Sequence, residues 1–385
     1  MRTRRECDAV EVKIASAEVI PYALPFREPY VTARGRLDQR EMVLLRLRSG
    51  DGLTGLGEAV PLSMRGWTSL AQVVGELERL AERDSLDEAT LRSEALGLSA
   101  PARCAALTAL LDLRGRCTAA TGHSIAARSS SQPPSERNDD RGRGPDVSRS
   151  VECNATLIAG EPAAVAADAE RWAADGFESF KLKLGAGDDF GQVLAVREAV
   201  GPRAHIRVDA NATWDIETAK RTLKALEPLE VELAEQPVAT LEEATEVAAS
   251  TTIPIAGDES VETKADAERA VSMNACAMTG VKLSKVGGPE AAIEIAEVLP
   301  SYLSSALDGP VGIAAAAQVA QTLDEAAGGQ GAQLAHGLAT QRLFASTIAS
   351  VECELRNGML HPPDGPGLGV EIDEAALTAH RLDAR

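Results

Sequence analysis

No apolar run in this chain approaches the roughly 20 residues that a membrane span requires. The charged opening stretch, residues 1–13, lacks the apolar segment of a signal peptide. The six cysteines are scattered and form no CxxC pair. That pattern points to reduced thiols in a cytoplasmic protein rather than a disulfide framework. The five histidines show no metal-ligand spacing. Basic residues are outnumbered, 39 against 58, for a net charge of -19. So acidic a surface argues against nucleic acid or an anionic membrane as partner. Whether the chain forms homo-oligomers is left open.

What is present divides into four stretches. Residues 10–127 read as an α+β region. Apolar, β-rich runs at Ala17–Leu24, Met42–Leu47 and Leu53–Val60 predict strands, with a hairpin signal in Ser49-Gly50-Asp51-Gly52. Helical patterns follow at Ser69–Arg83 and Ala102–Arg114. Between the first two strands, Phe26–Arg36 is polar and contains Pro29 and Gly35, which predicts a mobile loop or an ordinary connection. Residues 128–149 hold almost nothing apolar and cannot offset their ordering entropy by burial, so they read as a disordered insertion.

From residue 150 to 350 strand and helix patterns alternate. Strands are expected at Val151–Leu157, Ser179–Leu184, Ile206–Asp209, Val231–Ala234, Ile253–Ala256, Thr279–Leu283, Tyr302–Ser305 and Gln333–Ala335. One helix starts at Glu161-Pro162, with proline in the first turn, and stops at Gly176. Seven or eight strands with helical crossovers suggest an α/β protein built on a parallel barrel, whose active site lies at the strands' C-terminal ends. The irregular segment 351–385 is expected to pack back on the first region.

Charged residues fall at those strand ends. Lys181 and Lys183 alternate with Leu182, so both point to one face of a strand. Asp209, Glu235, Asp258 and Lys282 then follow at intervals of roughly 25 residues, one strand–helix unit each. Three carboxylates from neighbouring strands can hold one hard divalent cation. Each residue also has an ordinary reading. Asp209 and Asp258 suit helix N-caps, Glu235 before Gln236-Pro237 suits a surface turn, and Lys183 could pair outside the barrel. Lys285 reads as a surface or rim residue, His336 as a satisfied loop residue, and Ser304 and Ser305 as strand-end polar groups. Gly287-Gly288 suits an anion site or a tight turn. The ordinary account must explain five coincidences at once.

These motifs resemble the enolase superfamily, in its muconate-lactonising branch. KLKLG, RVDAN, EQP, GDES and VKLSKVGG carry the resemblance, which spans Ala17 to Asp373 apart from the polar insertion. It implies a modified (β/α)7β TIM-type barrel, capped by an α+β domain formed from the N-terminal region and the C-terminal segment. It implies Mg²⁺, with Mn²⁺ as substitute, on Asp209, Glu235 and Asp258, with Asn211 and Glu259 in supporting positions. Lys183 would be the base, Lys181 its electrostatic neighbour, and Lys282 would stand on the opposite face of a small-molecule carboxylate substrate. The Phe26–Arg36 loop would cover the barrel mouth, where Arg34 and Arg36 could meet a substrate carboxylate.

Within that branch, SSALDGPVGIAAA (residues 304–316) and HGLAT (336–340) are most similar to o-succinylbenzoate synthases. Ser304 and Ser305 would then bind substrate. The Asp-x-Asp motif of dipeptide epimerases does not occur between Gln333 and Phe344, and Lys282 stands where mandelate-racemase-type enzymes use histidine. The implied reaction is dehydration by proton abstraction next to a carboxylate, through an enediolate, as a lyase of menaquinone biosynthesis. The alternatives are racemisation of N-acylamino acids, then muconate cycloisomerisation. Outside enzymology, the alternative is an inactive barrel kept as a scaffold.

Overall fold

The computed structural model describes residues 12–32, 35–61, 68–83, 86–120, 150–185, 187–326 and 334–383. The insertion expected at 128–149 and the candidate Arg34 lie outside the described residues.

The first region is a four-stranded antiparallel sheet, in the order β3-β2-β1-β4. Its strands are β1 (Lys13–Thr32), β2 (Gly35–Ser49), β3 (Thr54–Ala59) and the short β4 (Leu86–Asp87). Three helices accompany it: α1 (Leu70–Ala81), α2 (Glu88–Ala95) and α3 (Ala100–Ala120). Ser69 caps α1 by accepting from the Gln72 amide. The unbroken apolar run Met42–Leu47 has a physical reason: β2 is buried on both faces. Val43, Leu45 and Leu47 pack among the cap's own helices. Met42 and Leu44, one register step away, pack into the core shared with the second region.

The stretch Phe26–Arg36, expected as a mobile loop or an ordinary connection, is in its described residues mostly a hairpin arm. Tyr30, Val31 and Thr32 pair with Leu37, Arg36 and Gly35. Pro29 sits where the register shifts, between Pro25 and Tyr30, an irregularity that tolerates a missing N–H.

The second region contributes β5 (Val151–Glu152), β6 (Ala155–Leu157), α4 (Pro162–Ala174), β7 (Ser179–Lys183), α5 (Asp189–Val200), β8 (His205–Asp209) and α6 (Ile216–Leu226). There follow β9 (Val231–Glu235), α7 (Leu241–Ala248), β10 (Ile255–Gly257), α8 (Lys264–Ser272) and β11 (Met278–Val281). The run ends with α9 (Leu283–Val286), α10 (Pro289–Ala296), β12 (Ser301–Leu303) and α11 (Pro310–Ala326). Strands β6 to β12 form one parallel seven-stranded sheet in chain order. An eighth position closes it into a barrel. His336 bridges Cys153 and Gly337 bridges Ser304, with backbone bonds of 2.7 Å from His336 N to Glu152 O and from Gly337 N to Leu303 O. The eighth strand, expected at Gln333–Ala335, is thus a two-residue bridge that begins at His336. The strand expected at Val151–Leu157 is broken in two. Its first half, β5, pairs with Met359–His361 of the C-terminal segment, which pairs in turn with Glu354–Arg356 in a separate three-stranded sheet.

That segment comprises β13 (Ala349–Val351), β14 (Glu354–Arg356), β15 (Met359–His361), β16 (Glu371–Ile372) and α12 (Glu374–His380). It also reaches the first region: the Leu368 amide donates to Asp112 of α3 at 2.7 Å, and Arg46 of β2 meets Glu374 at 2.7 Å. Among the described residues, no helix is long and apolar enough to cross a membrane.

Two close contacts fix cap to barrel. Gly287 follows α9 with φ 96°, and a Cβ there would stand 2.2 Å from Nε of Arg103 on α3. The glycine pair is therefore a tight turn that admits a cap side chain, with Arg103 donating to the Val286 carbonyl at 3.2 Å. At the other contact, buried Glu58 ends β3 and accepts from the Gly309 amide at 2.6 Å, just before α11, and from the Tyr22 hydroxyl at 2.8 Å. Burial, reinforced by nearby Asp308, pushes the Glu58 carboxyl up to about 8.

Candidate active site

The barrel's register assembles the site. Lys183, Asp209 and Glu235 are direct ladder neighbours on β7, β8 and β9. Partners in a parallel ladder point to one face, so all three side chains converge. Asp258 follows β10 by one residue and Lys282 follows β11 by one residue. Asp209 and Asp258 are fully buried and Glu235 is 1% exposed. The lysines lean on these carboxylates. Lys181 Nζ lies 2.6 Å from Glu235 Oε1 and 2.8 Å from Asp209 Oδ2. Lys183 Nζ lies 2.6 Å from the same Asp209 oxygen and 3.0 Å from Asn211 Oδ1. Lys282 meets Asp258 Oδ2. Lys183 and Lys282 thus flank the carboxylates from strands at either side.

The ordinary readings of these residues do not hold. Helix α6 is capped by Asp215 and α8 by Thr263, not by Asp209 or Asp258. Glu235 lies in the barrel, not on a surface turn. Lys285 is a correction: expected at the surface or rim, it is 3% exposed and donates to Asp258 Oδ1 at 3.0 Å. It lies in the turn of α9, which directs it back under the strand ends. Asn211 also donates to Glu259 Oε1 at 3.5 Å, linking the two supporting candidates. Backbone strain gathers here as well: Asn211, Ala212 and Gln236 have φ of 49°, 59° and 38°.

The other candidates stand differently. Ser305 exchanges bonds with Asp308, Oγ to Oδ2 at 2.8 Å, in the turn before α11. Ser304 bridges Gly337 through its backbone where the barrel closes. Arg36 is exposed and paired with Asp38 at 2.9 Å. His336 is satisfied: its Nδ1 accepts from the Leu303 amide at 2.9 Å, which closes the barrel.

Charge inside the site is strongly redistributed. Burial alone would raise Asp209, but Lys181 and Lys183 beside it hold its carboxyl far below the usual range. Burial would lower Lys183, yet Asp209 outweighs it and holds the ammonium above the ordinary lysine value. Lys181 pushes Lys183 down, as expected of a positive neighbour, while Tyr30 of the hairpin pushes weakly up. As arranged, both KxK lysines are protonated partners of carboxylates.

Comparison with known proteins fits this geometry. Residues 164–376 match the family model described as enolase C-terminal domain-like. Residues 14–124 match the N-terminal domain of mandelate racemase / muconate lactonizing enzyme. The chain belongs to this enolase-superfamily group. It is 30% identical to muconate cycloisomerase 1-2 of Acinetobacter lwoffii, over 98% of this chain and 97% of that one. It is 35% identical to o-succinylbenzoate synthase of Thermobifida fusca (strain YX), over 51% of this chain and only 59% of that one. In fold it matches dipeptide epimerase from Enterococcus faecalis V583, solved with Mg and the dipeptide L-Leu-L-Tyr. The TM-score is 0.80 at 23% identity, covering 93% of this chain and 99% of that one.

For a member of this superfamily the donor set is chemically suited to a hard cation. Asp209, Glu235 and Asp258 offer buried carboxylate oxygens alone, with no histidine or cysteine among them. Among the described residues, no three acidic, histidine or cysteine side chains converge on one point; Lys181 bridges Asp209 and Glu235, and Lys282 pairs with Asp258. Two further residues that motif reading did not single out contact the candidate carboxylates or the strand ends that carry them. Gln236 of the EQP motif accepts from the Asp258 amide at 2.7 Å, tying the end of β9 to the end of β10. Tyr302 donates its hydroxyl to Glu235 Oε2. Neither had a signal of its own, since a lone glutamine or strand tyrosine reads as ordinary packing.

Proposed function

We propose that this protein is a Mg²⁺-dependent o-succinylbenzoate synthase, dehydrating a cyclohexadiene carboxylate that bears a succinyl side chain. The observation that carries it is the pair of lysines, Lys183 on β7 and Lys282 after β11, flanking three buried carboxylates. The substrate class is supported by SSALD and HGLAT and by the half-length match to the Thermobifida synthase.

Asp209, Glu235 and Asp258 would hold the metal, as the Mg in the epimerase structure makes reasonable. Bound there, a divalent cation supplies positive charge against the second negative charge that proton loss places on the substrate carboxylate. Lys183 acts as base at Nζ, taking the proton from the carbon beside that carboxylate. For this it must first be relieved of its pairing with Asp209. The same Nζ then returns its proton to the departing hydroxyl, which leaves as water, and the ring becomes aromatic. Lys282 remains charged and faces the anion from the other side. Asn211 Oδ1 orients Lys183 throughout.

Muconate cycloisomerisation is the second reading, favoured by the match over nearly the whole chain. Racemisation of N-acylamino acids would use the same two lysines in turn. The test is an assay of the purified protein, with Mg²⁺, against the cyclohexadiene substrate, cis,cis-muconate and N-succinyl amino acids. Turnover of the cyclohexadiene supports the synthase; turnover of muconate alone overturns it.

A further inference from the structure

The geometry points to Tyr302 as a positioning residue for Glu235, a role that rests on reading Asp209, Glu235 and Asp258 as metal ligands. Tyr302 lies on β12, three strands from β9, and reaches Glu235 Oε2 across the barrel interior. Lys181 holds the same carboxylate from β7, at 2.6 and 2.7 Å from its two oxygens. Glu235 is thus gripped from both sides of the barrel, which fixes the plane of its carboxylate. Partners behind a metal ligand orient it in this way, and losing one typically weakens metal binding about 10- to 100-fold.

The ring itself is clamped. Its ladder neighbour on β11 is Gly280, where a Cβ would stand 3.1 Å from the phenol oxygen and 3.2 Å from Cζ. The Arg207 guanidinium lies 5.2 Å from the ring centroid, and Leu233 and Ala256 pack beside it. A phenylalanine would fill this space equally well. What tyrosine adds is one hydrogen bond, delivered to a carboxylate of the candidate centre.

The experiment is a Mn²⁺ titration of wild type, Tyr302→Phe and Gly280→Ala, read by electron paramagnetic resonance, with far-ultraviolet circular dichroism reporting the fold. Tyr302→Phe should keep the wild-type spectrum while its Mn²⁺ dissociation constant rises about tenfold or more. Gly280→Ala keeps the hydroxyl but displaces it, and should weaken binding in the same direction. If wild type binds Mn²⁺ and Tyr302→Phe binds it within about twofold, Tyr302 has no positioning role and the ligand set still stands. If wild type takes up no Mn²⁺, the ligand set and this role fall together.

Discussion

Lys285 grips Asp258 at two points, donating to its Oδ1 at 3.0 Å and to its own carbonyl oxygen, and reaches the Gly280 carbonyl at 3.3 Å with its remaining hydrogen. All three donors of the ammonium are thereby used between the ends of β10 and β11. Lys285→Met removes them and leaves a buried carboxylate short of a partner. Lys282 still pairs with Asp258, so the loss is that of buried hydrogen-bonding groups left unsatisfied, about 1–3 kcal/mol, and urea unfolding should show a loss of that order. A loss under about 1 kcal/mol, the worth of a surface pair, would show that Lys285 is not the anchor described.

Glu235→Gln keeps the shape of the side chain and its contact with Tyr302 but removes the charge. It should abolish turnover and the thermal stabilisation that Mn²⁺ gives the wild type, while the folded spectrum persists. Undiminished stabilisation by Mn²⁺ would remove Glu235 from the ligand set.

The two flanking lysines separate the reactions. In a syn-dehydration one group handles both proton transfers, so Lys183→Ala should lose all activity, and Lys282→Ala should be severely impaired. In a racemase each lysine serves one enantiomer. A single mutant would then still exchange the α-proton of one N-succinyl enantiomer with deuterium, as NMR would detect. Such exchange, without dehydration by the wild type, replaces the synthase reading with the racemase one.

Glu58 should give stability a pH dependence. Its carboxyl is raised to about 8 in the fold, so between the unfolded value, about 4.3, and about 8 the native state holds a proton that the unfolded chain has released. Its contribution is full below the unfolded value and is lost as pH rises towards 8, at up to about 1.4 kcal/mol per pH unit. Wild type should therefore lose stability from pH 5 to 8 faster than Glu58→Gln in parallel urea titrations. Equal slopes would mean that Glu58 is ionised throughout.

The alternation of strand and helix and the placing of charged residues at strand ends were legible in the chain's local pattern. A two-residue period puts Lys181 and Lys183 on one face. The sequence also picked out Asp209, Glu235 and Asp258 as the candidate ligands, because one strand–helix unit separates each from the next. Tertiary structure alone decided which carboxylate each lysine meets, since that depends on register between β7, β8 and β9. It decided that Lys285 turns inward, since α9 bends the chain back beneath Asp258. It brought Tyr302 to Glu235 across 67 residues of chain and made a hairpin of a stretch whose composition reads as loop. Such contacts join residues far apart in sequence, and only closure of the barrel brings them within reach of one another.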